Sequence, residues 1–86
     1  MDVYIPSPLR SYTHGASEVQ AVGDSVDALL RDLDRQFPGL RYRMVDEQRR
    51  IRAHMRVFVN DAQTFDLDAP LVATDRVLIL AALSGG

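Results

Sequence analysis

One amphipathic segment in the first half of the chain limits the fold more than any other feature. Apolar residues recur at i, i+3, i+4, i+7 and i+11 and form a single stripe: Val26, Leu29, Leu30, Leu33 and Phe37. Asp24 or Ser25 can cap this helix, Asp27 adds negative charge to its first turn, and Pro38-Gly39 ends it. Because such a stripe must be covered by other apolar residues, the sequence predicts one main helix packed on a sheet.

The remaining segments predict the strands of that sheet. Their compositions are β-branched and aliphatic, and turn residues separate them, at 3–5, 18–22, 55–60, 63–66 and 77–80. The first two form a hairpin-like pair with a bend at His14-Gly15, and a helical turn around 40–45 precedes the third. A helix that crosses over after a hairpin lets a later strand lie parallel to the first. We therefore expect an α+β fold of the β-grasp, or ubiquitin-like, type. It would have a mixed sheet of four to five strands, with the helix on one face, and a single domain over 1–86.

Composition narrows the class of protein. A chain of 86 residues builds only a small core. The absence of cysteine excludes disulfides, thiol catalysis and thiolate metal sites. A net charge of −2 argues against nucleic-acid binding, and no apolar stretch approaches the roughly 20 residues of a membrane span. With no signal-peptide pattern at the start, we expect a cytoplasmic protein that binds neither nucleic acid nor membrane.

The end of the sequence is unusual for a strand. After the apolar run 77–80 the side chains become small, and the last six residues are Ala81-Ala82-Leu83-Ser84-Gly85-Gly86. Two glycines allow almost any backbone angle, so a flexible tail over 82–86 can enter a narrow channel and present the carboxylate of Gly86. The alternative is a frayed end or a cloning remnant.

The chain shows no catalytic constellation of its own. His14 and His54 lie far apart beside turns or loops, where surface or capping roles are expected rather than metal binding. Gly23 is isolated, so there is no glycine-rich phosphate loop. We therefore predict that the protein is not an enzyme and that any chemistry at Gly86 is catalysed by a partner.

The last strand is apolar on both faces, although one helix can cover only one of them. Phe58, Leu78 and Leu80 are expected to form an exposed patch for partner docking, with Tyr4 nearby and Leu83 beyond it. The alternative is that segment 40–53 folds over this face and buries it. The arginines of segment 41–56 would form a solvated face or steer an acidic partner.

Several short motifs resemble the MoaD/ThiS-type sulfur carriers of molybdopterin, thiamine and cysteine biosynthesis. The motifs span the chain: the helix start at 23–26 with its leucines, the run 57–60 before a turn, Pro70-Leu71, and Asp75-Arg76-Val77 leading to Leu83-Ser84-Gly85-Gly86. Two features resemble the carriers that serve cysteine-synthase-like enzymes. They are Ile5-Pro6 followed by Leu9-Arg10, and the long arginine-rich connection before Met55.

The resemblance implies a role for the tail. An E1-like adenylyltransferase would activate Gly86 with ATP, and a sulfurtransferase or cysteine desulfurase would supply sulfur. The thiocarboxylate on Gly86 would then pass its sulfur to a sulfur-accepting synthase. Gly85 and Ser84 would provide clearance, the carrier itself would bind no cofactor, and no protease would be needed to expose Gly86. Two alternatives stay open: a ubiquitin-like modifier conjugated through Gly86, and a non-covalent β-grasp interaction module.

Overall fold

Five strands form one mixed sheet, which confirms the predicted α+β, β-grasp architecture. A computed structural model describes residues 1–82. Its strands are β1 (Asp2–Tyr4), β2 (Glu18–Gln20), β3 (Met55–Val59), β4 (Ala62–Thr64) and β5 (Val77–Ala81). Their order across the sheet is β2-β1-β5-β3-β4. β1 and β5 are parallel and the other neighbours are antiparallel, so the first and last strands lie side by side at the centre.

The main helix, α1 (Val26–Gln36), has the predicted limits. Ser25 is the N-cap, and its hydroxyl oxygen accepts a hydrogen bond from the Ala28 amide at 3.1 Å. Phe37 closes the helix, and Gly39, with φ +97°, turns the chain into a short second helix, α2 (Leu40–Met44). Only a residue without a Cβ adopts this left-handed conformation easily.

The core lies between α1 and one face of the sheet. Leu29, Leu30 and Leu33 are at most 1% exposed. The strand residues that alternate toward them are also buried, namely Val3, Val57, Val77 and Ile79, as is Ile5 just after β1. Val59 is only partly buried because it lies at the end of β3, where its partner on the edge strand is Ala62. The predicted helix-on-sheet core is confirmed with that one difference.

Every strand differs from its predicted limits by one or two residues. β1 covers Asp2–Tyr4 instead of 3–5, β3 ends at Val59 instead of residue 60, and β5 reaches Ala81 instead of residue 80. The larger differences are in β2 and β4. β2 ends at Gln20 instead of residue 22, because the chain turns there toward α1 and the Val22 amide donates to Asp32 Oδ2 at 3.0 Å. β4 covers Ala62–Thr64 instead of 63–66. Asn60 and Asp61 both have positive φ, 49° and 72°, and make a tight two-residue turn that starts β4 at once.

Segment 40–53 packs on the helix side of the sheet. Leu40, Met44 and Val45 are at most 2% exposed and belong to the same core cluster as α1. The segment therefore does not bury the opposite face, which was the alternative to an exposed docking patch.

A buried carboxylate fastens this segment to α1. Asp27 is 7% exposed, and its oxygens accept hydrogen bonds from Arg31 at 3.0 Å, Arg41 at 2.6 Å and Arg49 at 3.5 Å. Burial acts to raise the pKa of Asp27, but the hydrogen bonds from Arg41 and Arg31 outweigh it and hold the pKa below its ordinary value. Arg41 and Arg49 are thus structural, which corrects the expectation of a wholly solvated arginine face.

Candidate functional site

The described chain stops just beyond the central strand of the sheet, at the residue where the predicted tail begins. Ala81 is the last residue of β5 and pairs with Met55 of β3. The Ala82 amide then donates to the His54 carbonyl at 2.7 Å, so the chain stays attached to β3 for one residue beyond the strand. The predictions for Leu83, Ser84, Gly85 and Gly86 lie outside the described residues.

The sheet face opposite α1, called here the open face, brings the predicted docking residues together. Leu78 of β5 lies directly between Tyr4 of β1 and Phe58 of β3. Leu80 lies two residues further along the same face, opposite Arg56. All four apolar or aromatic side chains are partly buried, whereas the alternate residues of these strands face α1.

Polar residues border this apolar row on both sides. Glu18 pairs with Tyr4 at one edge of the sheet, and Gln63 pairs with Phe58 at the other. An apolar centre with a polar rim is the usual composition of a protein–protein interface. The geometry therefore suits the docking role predicted for Phe58, Leu78 and Leu80, and that role stays a prediction.

A cleft of about 650 Å³ opens beside the end of β5 and Ala82, and it is called here the tail-exit cleft. Its walls come from the end of β1 and the segment after it, from α2, from the start of β3 and from the end of β5. The residues used below are Tyr4, Arg10, Arg43, His54, Leu80, Ala81 and Ala82. Sequence reasoning missed this cleft, because its two arginines are far apart in the chain and line one cleft only after folding, Arg10 from the segment after β1 and Arg43 from α2.

Both arginines of the tail-exit cleft are held by a tyrosine. Arg10 donates from Nε to the Ile5 carbonyl at 3.0 Å and from Nη2 to the Tyr4 hydroxyl at 2.8 Å. Arg43 donates from Nε to the Tyr12 hydroxyl at 2.9 Å. Each guanidinium also lies over the ring of its tyrosine, 5.5 Å and 5.9 Å from the ring centres.

The two histidines do not come together as a site. His14 has φ +56° in the bend after the first strand, and its ring meets the ring of Phe37 edge-on at 6.4 Å. His54 lies at the rim of the tail-exit cleft. Within residues 1–82, no three His, Asp or Glu side chains are grouped as a metal ion would require. In the same range, no helix has the length and apolar character needed to cross a membrane.

Comparison with known proteins places the chain among small carriers. The model of the ThiS family matches residues 3–86. The sulfur carrier protein CysO of Mycobacterium tuberculosis is 33% identical over 89 residues, which cover 98% of this chain and 96% of that protein.

Solved structures agree with that relationship. The matched chain in the crystal structure of the Amycolatopsis orientalis BexX/CysO complex has a TM-score of 0.90 and 32% identity, with 99% of this chain and 98% of that chain covered. Small archaeal modifier protein 1 from Methanosarcina acetivorans has a TM-score of 0.79 at 24% identity, covers 99% and 94%, and shows the shared fold alone. The chain therefore belongs to the ThiS family and lies near CysO among the MoaD/ThiS-type sulfur carriers.

Proposed function

We propose that this protein is a sulfur carrier in cysteine biosynthesis, with Gly86 as the residue that is adenylated and then converted to a thiocarboxylate. The observation that carries the proposal is the end-to-end relationship to the sulfur carrier protein CysO, together with a family match that runs through Gly86. The carrier is a co-substrate of its partners and not a catalyst.

The chemistry explains why partners are needed. A carboxylate does not exchange oxygen for sulfur directly, because its oxygen is a poor leaving group. If the Gly86 carboxylate attacks the α-phosphorus of ATP, pyrophosphate leaves and a mixed anhydride with AMP is formed. A sulfur nucleophile can then displace AMP and leave a thiocarboxylate. An E1-like adenylyltransferase would hold the ATP, a sulfurtransferase or cysteine desulfurase would supply sulfur, and a synthase would accept it.

The fold supports this role by fixing the base of the tail. β5 is held between β1 and β3, and Ala82 is still hydrogen-bonded to His54. Four residues follow Ala82, and a fully extended chain of that length spans at most about 14 Å. An enzyme that binds Gly86 beside ATP must therefore approach the end of β5 closely. This distance brings its surface near Leu80 and the open face, where the apolar docking residues lie.

Pyrophosphate exchange with the cognate E1-like enzyme tests the proposal. Gly86→Val and Gly85→Val should abolish ATP-dependent exchange, because a side chain there meets channel walls shaped for bare backbone and a misplacement of about 1 Å can cost roughly a hundredfold in rate. Ala73→Val is the matched control, since it adds bulk at an exposed turn before β5. It should leave exchange unchanged, and thermal melts should show that all three variants are folded.

The outcomes separate the candidate functions. Undiminished exchange with Gly86→Val would contradict the carrier and the modifier together and leave a non-covalent interaction module. Loss of exchange combined with lysine-linked adducts of Gly86 in cell lysate would favour the ubiquitin-like modifier over the carrier.

A further inference from the structure

Two arginines of the tail-exit cleft have no carboxylate partner within residues 1–82. The ion pairs in this range use five other arginines, which are Arg31, Arg35, Arg41, Arg49 and Arg50. Arg10 and Arg43 instead donate only to hydroxyl and carbonyl oxygens, which carry no full charge. Their positive charges therefore face the cleft without neutralisation by the described part of the chain.

The remaining hydrogen-bond donors of these arginines suit a carboxylate. A guanidinium has five N–H donors. Arg43 uses only Nε, so its two terminal nitrogens keep the planar fork that binds a carboxylate in a bidentate manner. Arg10 uses Nε and one Nη2 hydrogen and keeps three N–H groups. Because the tyrosines already fix both side chains, a ligand orders them at little further entropic cost.

The position of the cleft indicates what must cover it. Leu80, Ala81 and Ala82 form one wall, and the tail that carries Gly86 starts at the same place. An enzyme that binds Gly86 must lie within about 14 Å of Ala82, so its surface covers the cleft or its rim. Covering an unpaired guanidinium with an uncharged surface is costly, because the cation loses water and gains no counter-charge.

We propose that the tail-exit cleft binds an acidic side chain of the activating enzyme, with Arg10 and Arg43 donating to its carboxylate. Leu80, Ala81 and Ala82 supply the apolar contacts beside it. The proposal rests on the proposed function for the identity of the partner. It adds a basic anchor to the apolar open face, and Tyr4 joins the two surfaces because it lies beside Leu78 and also holds Arg10.

The charge distribution along β5 would orient this encounter. Asp75 lies just before the strand, at its other end, where its carboxylate accepts hydrogen bonds from Asn60 and from the Val72 amide. Its pKa lies below the ordinary value because of those hydrogen bonds, that of the Val72 amide first. Because Arg76 follows Asp75 directly, the charge of Asp75 is partly offset at that end, whereas Arg10 and Arg43 leave the tail end positive. An acidic partner surface is thus attracted mainly at the tail end of β5.

The test compares two double variants of equal net charge. Arg10→Gln/Arg43→Gln removes the anchor, and Arg35→Gln/Arg76→Gln removes two charges from residues outside the cleft. We expect the anchor variant to raise the KM for the carrier in pyrophosphate exchange by at least about tenfold, with kcat at saturation unchanged and a weaker dependence on salt. The control pair should stay within about twofold of the wild type.

Two further variants separate docking from folding, and charge from hydrogen-bond geometry. Arg43→Gln alone removes an exposed side chain, so it reports on docking even if loss of Arg10 disturbs the fold. Arg10→Lys/Arg43→Lys keeps the charge but not the fork and should recover only part of the affinity. Equal KM values for the anchor and control pairs would overturn the proposal. A second result would also overturn the proposal: inorganic phosphate binds in the cleft, while the anchor variant still binds the enzyme as the wild type does. The cleft would then be a site for small anions.

The same assay gives a different pattern if the proposed carrier function itself is wrong. In that case the wild type itself supports no exchange, or Gly86→Val exchanges as well as the wild type. Failure of the docking inference alone leaves wild-type exchange intact and sensitive to Gly86→Val, with a KM that does not respond to Arg10 and Arg43.

Discussion

Gly23 is predicted to be among the least replaceable residues of this protein, although it lies far from the tail. A Cβ built on Gly23 would stand 2.4 Å from the Leu29 amide nitrogen and 2.8 Å from the Ala28 carbonyl carbon. Both atoms belong to the backbone of α1, so no side-chain rotation relieves the contact. Ordinary non-bonded separations are about 3.5–4.0 Å, and the overlap is therefore about 1 Å.

The cost of Gly23→Ala follows from this overlap. To make room, the start of α1 must move away from the connection after β2, and Val26 and Leu29, which are 0% exposed, lose contacts in the core. Overpacking of this kind lowers the free energy of unfolding by roughly 1–3 kcal/mol and occasionally more. The alanine also reduces the conformational entropy of the unfolded chain, which offsets about 0.4–1 kcal/mol of that loss. Because the overlap is with backbone atoms, we expect the upper end of this balance, a net loss of about 2–2.5 kcal/mol in the free energy of unfolding, or about 8–20 °C in Tm for a domain of this size.

Gly15→Ala is the matched control for this measurement. Gly15 has φ +87° but no atom within 4 Å of an added Cβ, so its substitution carries only a backbone cost of about 1 kcal/mol. Urea and thermal unfolding, followed by circular dichroism, should therefore show that Gly23→Ala is less stable than Gly15→Ala. If Gly23→Ala unfolds at the temperature of the wild type, the close contact between Gly23 and α1 is refuted.

Three further variants test the core, the open face and the buried carboxylate. Leu33→Ala, at a 0% exposed position, should cost about 2–5 kcal/mol, and a native melting curve would contradict the helix-on-sheet core. Leu80→Asp should stay folded but lose binding to the activating enzyme in a pull-down or titration, whereas unfolding would assign Leu80 to the core. Asp27→Asn should lose about 1–3 kcal/mol at pH 7. The pKa of Asp27 is lower in the folded protein than in the unfolded chain. Its contribution to the free energy of unfolding is therefore fully present above the ordinary pKa of about 3.9 and disappears as the pH falls through the lower folded value. The stability gap to the wild type should therefore narrow in strong acid, and a pH-independent gap would argue against an ionised Asp27.

Local patterns in the sequence were sufficient to predict most of the fold. The stripe from Val26 to Phe37 and the stop at Pro38-Gly39 define α1, since both depend on residues near each other in the chain. The alternating burial of β3 and β5 likewise follows from short apolar runs, and it placed Phe58, Leu78 and Leu80 on one face. The parallel pairing of β1 with β5 follows from the crossover of α1.

Features that depend on distant residues were not predictable in the same way. Leu40, Met44 and Val45 are buried although arginines surround them, because their neighbours Arg41 and Arg49 are neutralised by Asp27. Neither the spacing of the arginines nor the position of Asp27 in the first turn of α1 signals this pairing. Arg10 and Arg43 likewise meet only in the folded chain.

If Gly86 carries sulfur as proposed, the intact mass of the protein purified from its own host will reveal it. We expect a fraction of the chains to be heavier by the difference in mass between one sulfur atom and one oxygen atom. Fragmentation should place this increment at Gly86, and the increment should be absent from Gly86→Val expressed in the same host. A single unmodified mass under conditions of active sulfur metabolism, with the cognate enzymes present, would contradict the carrier function.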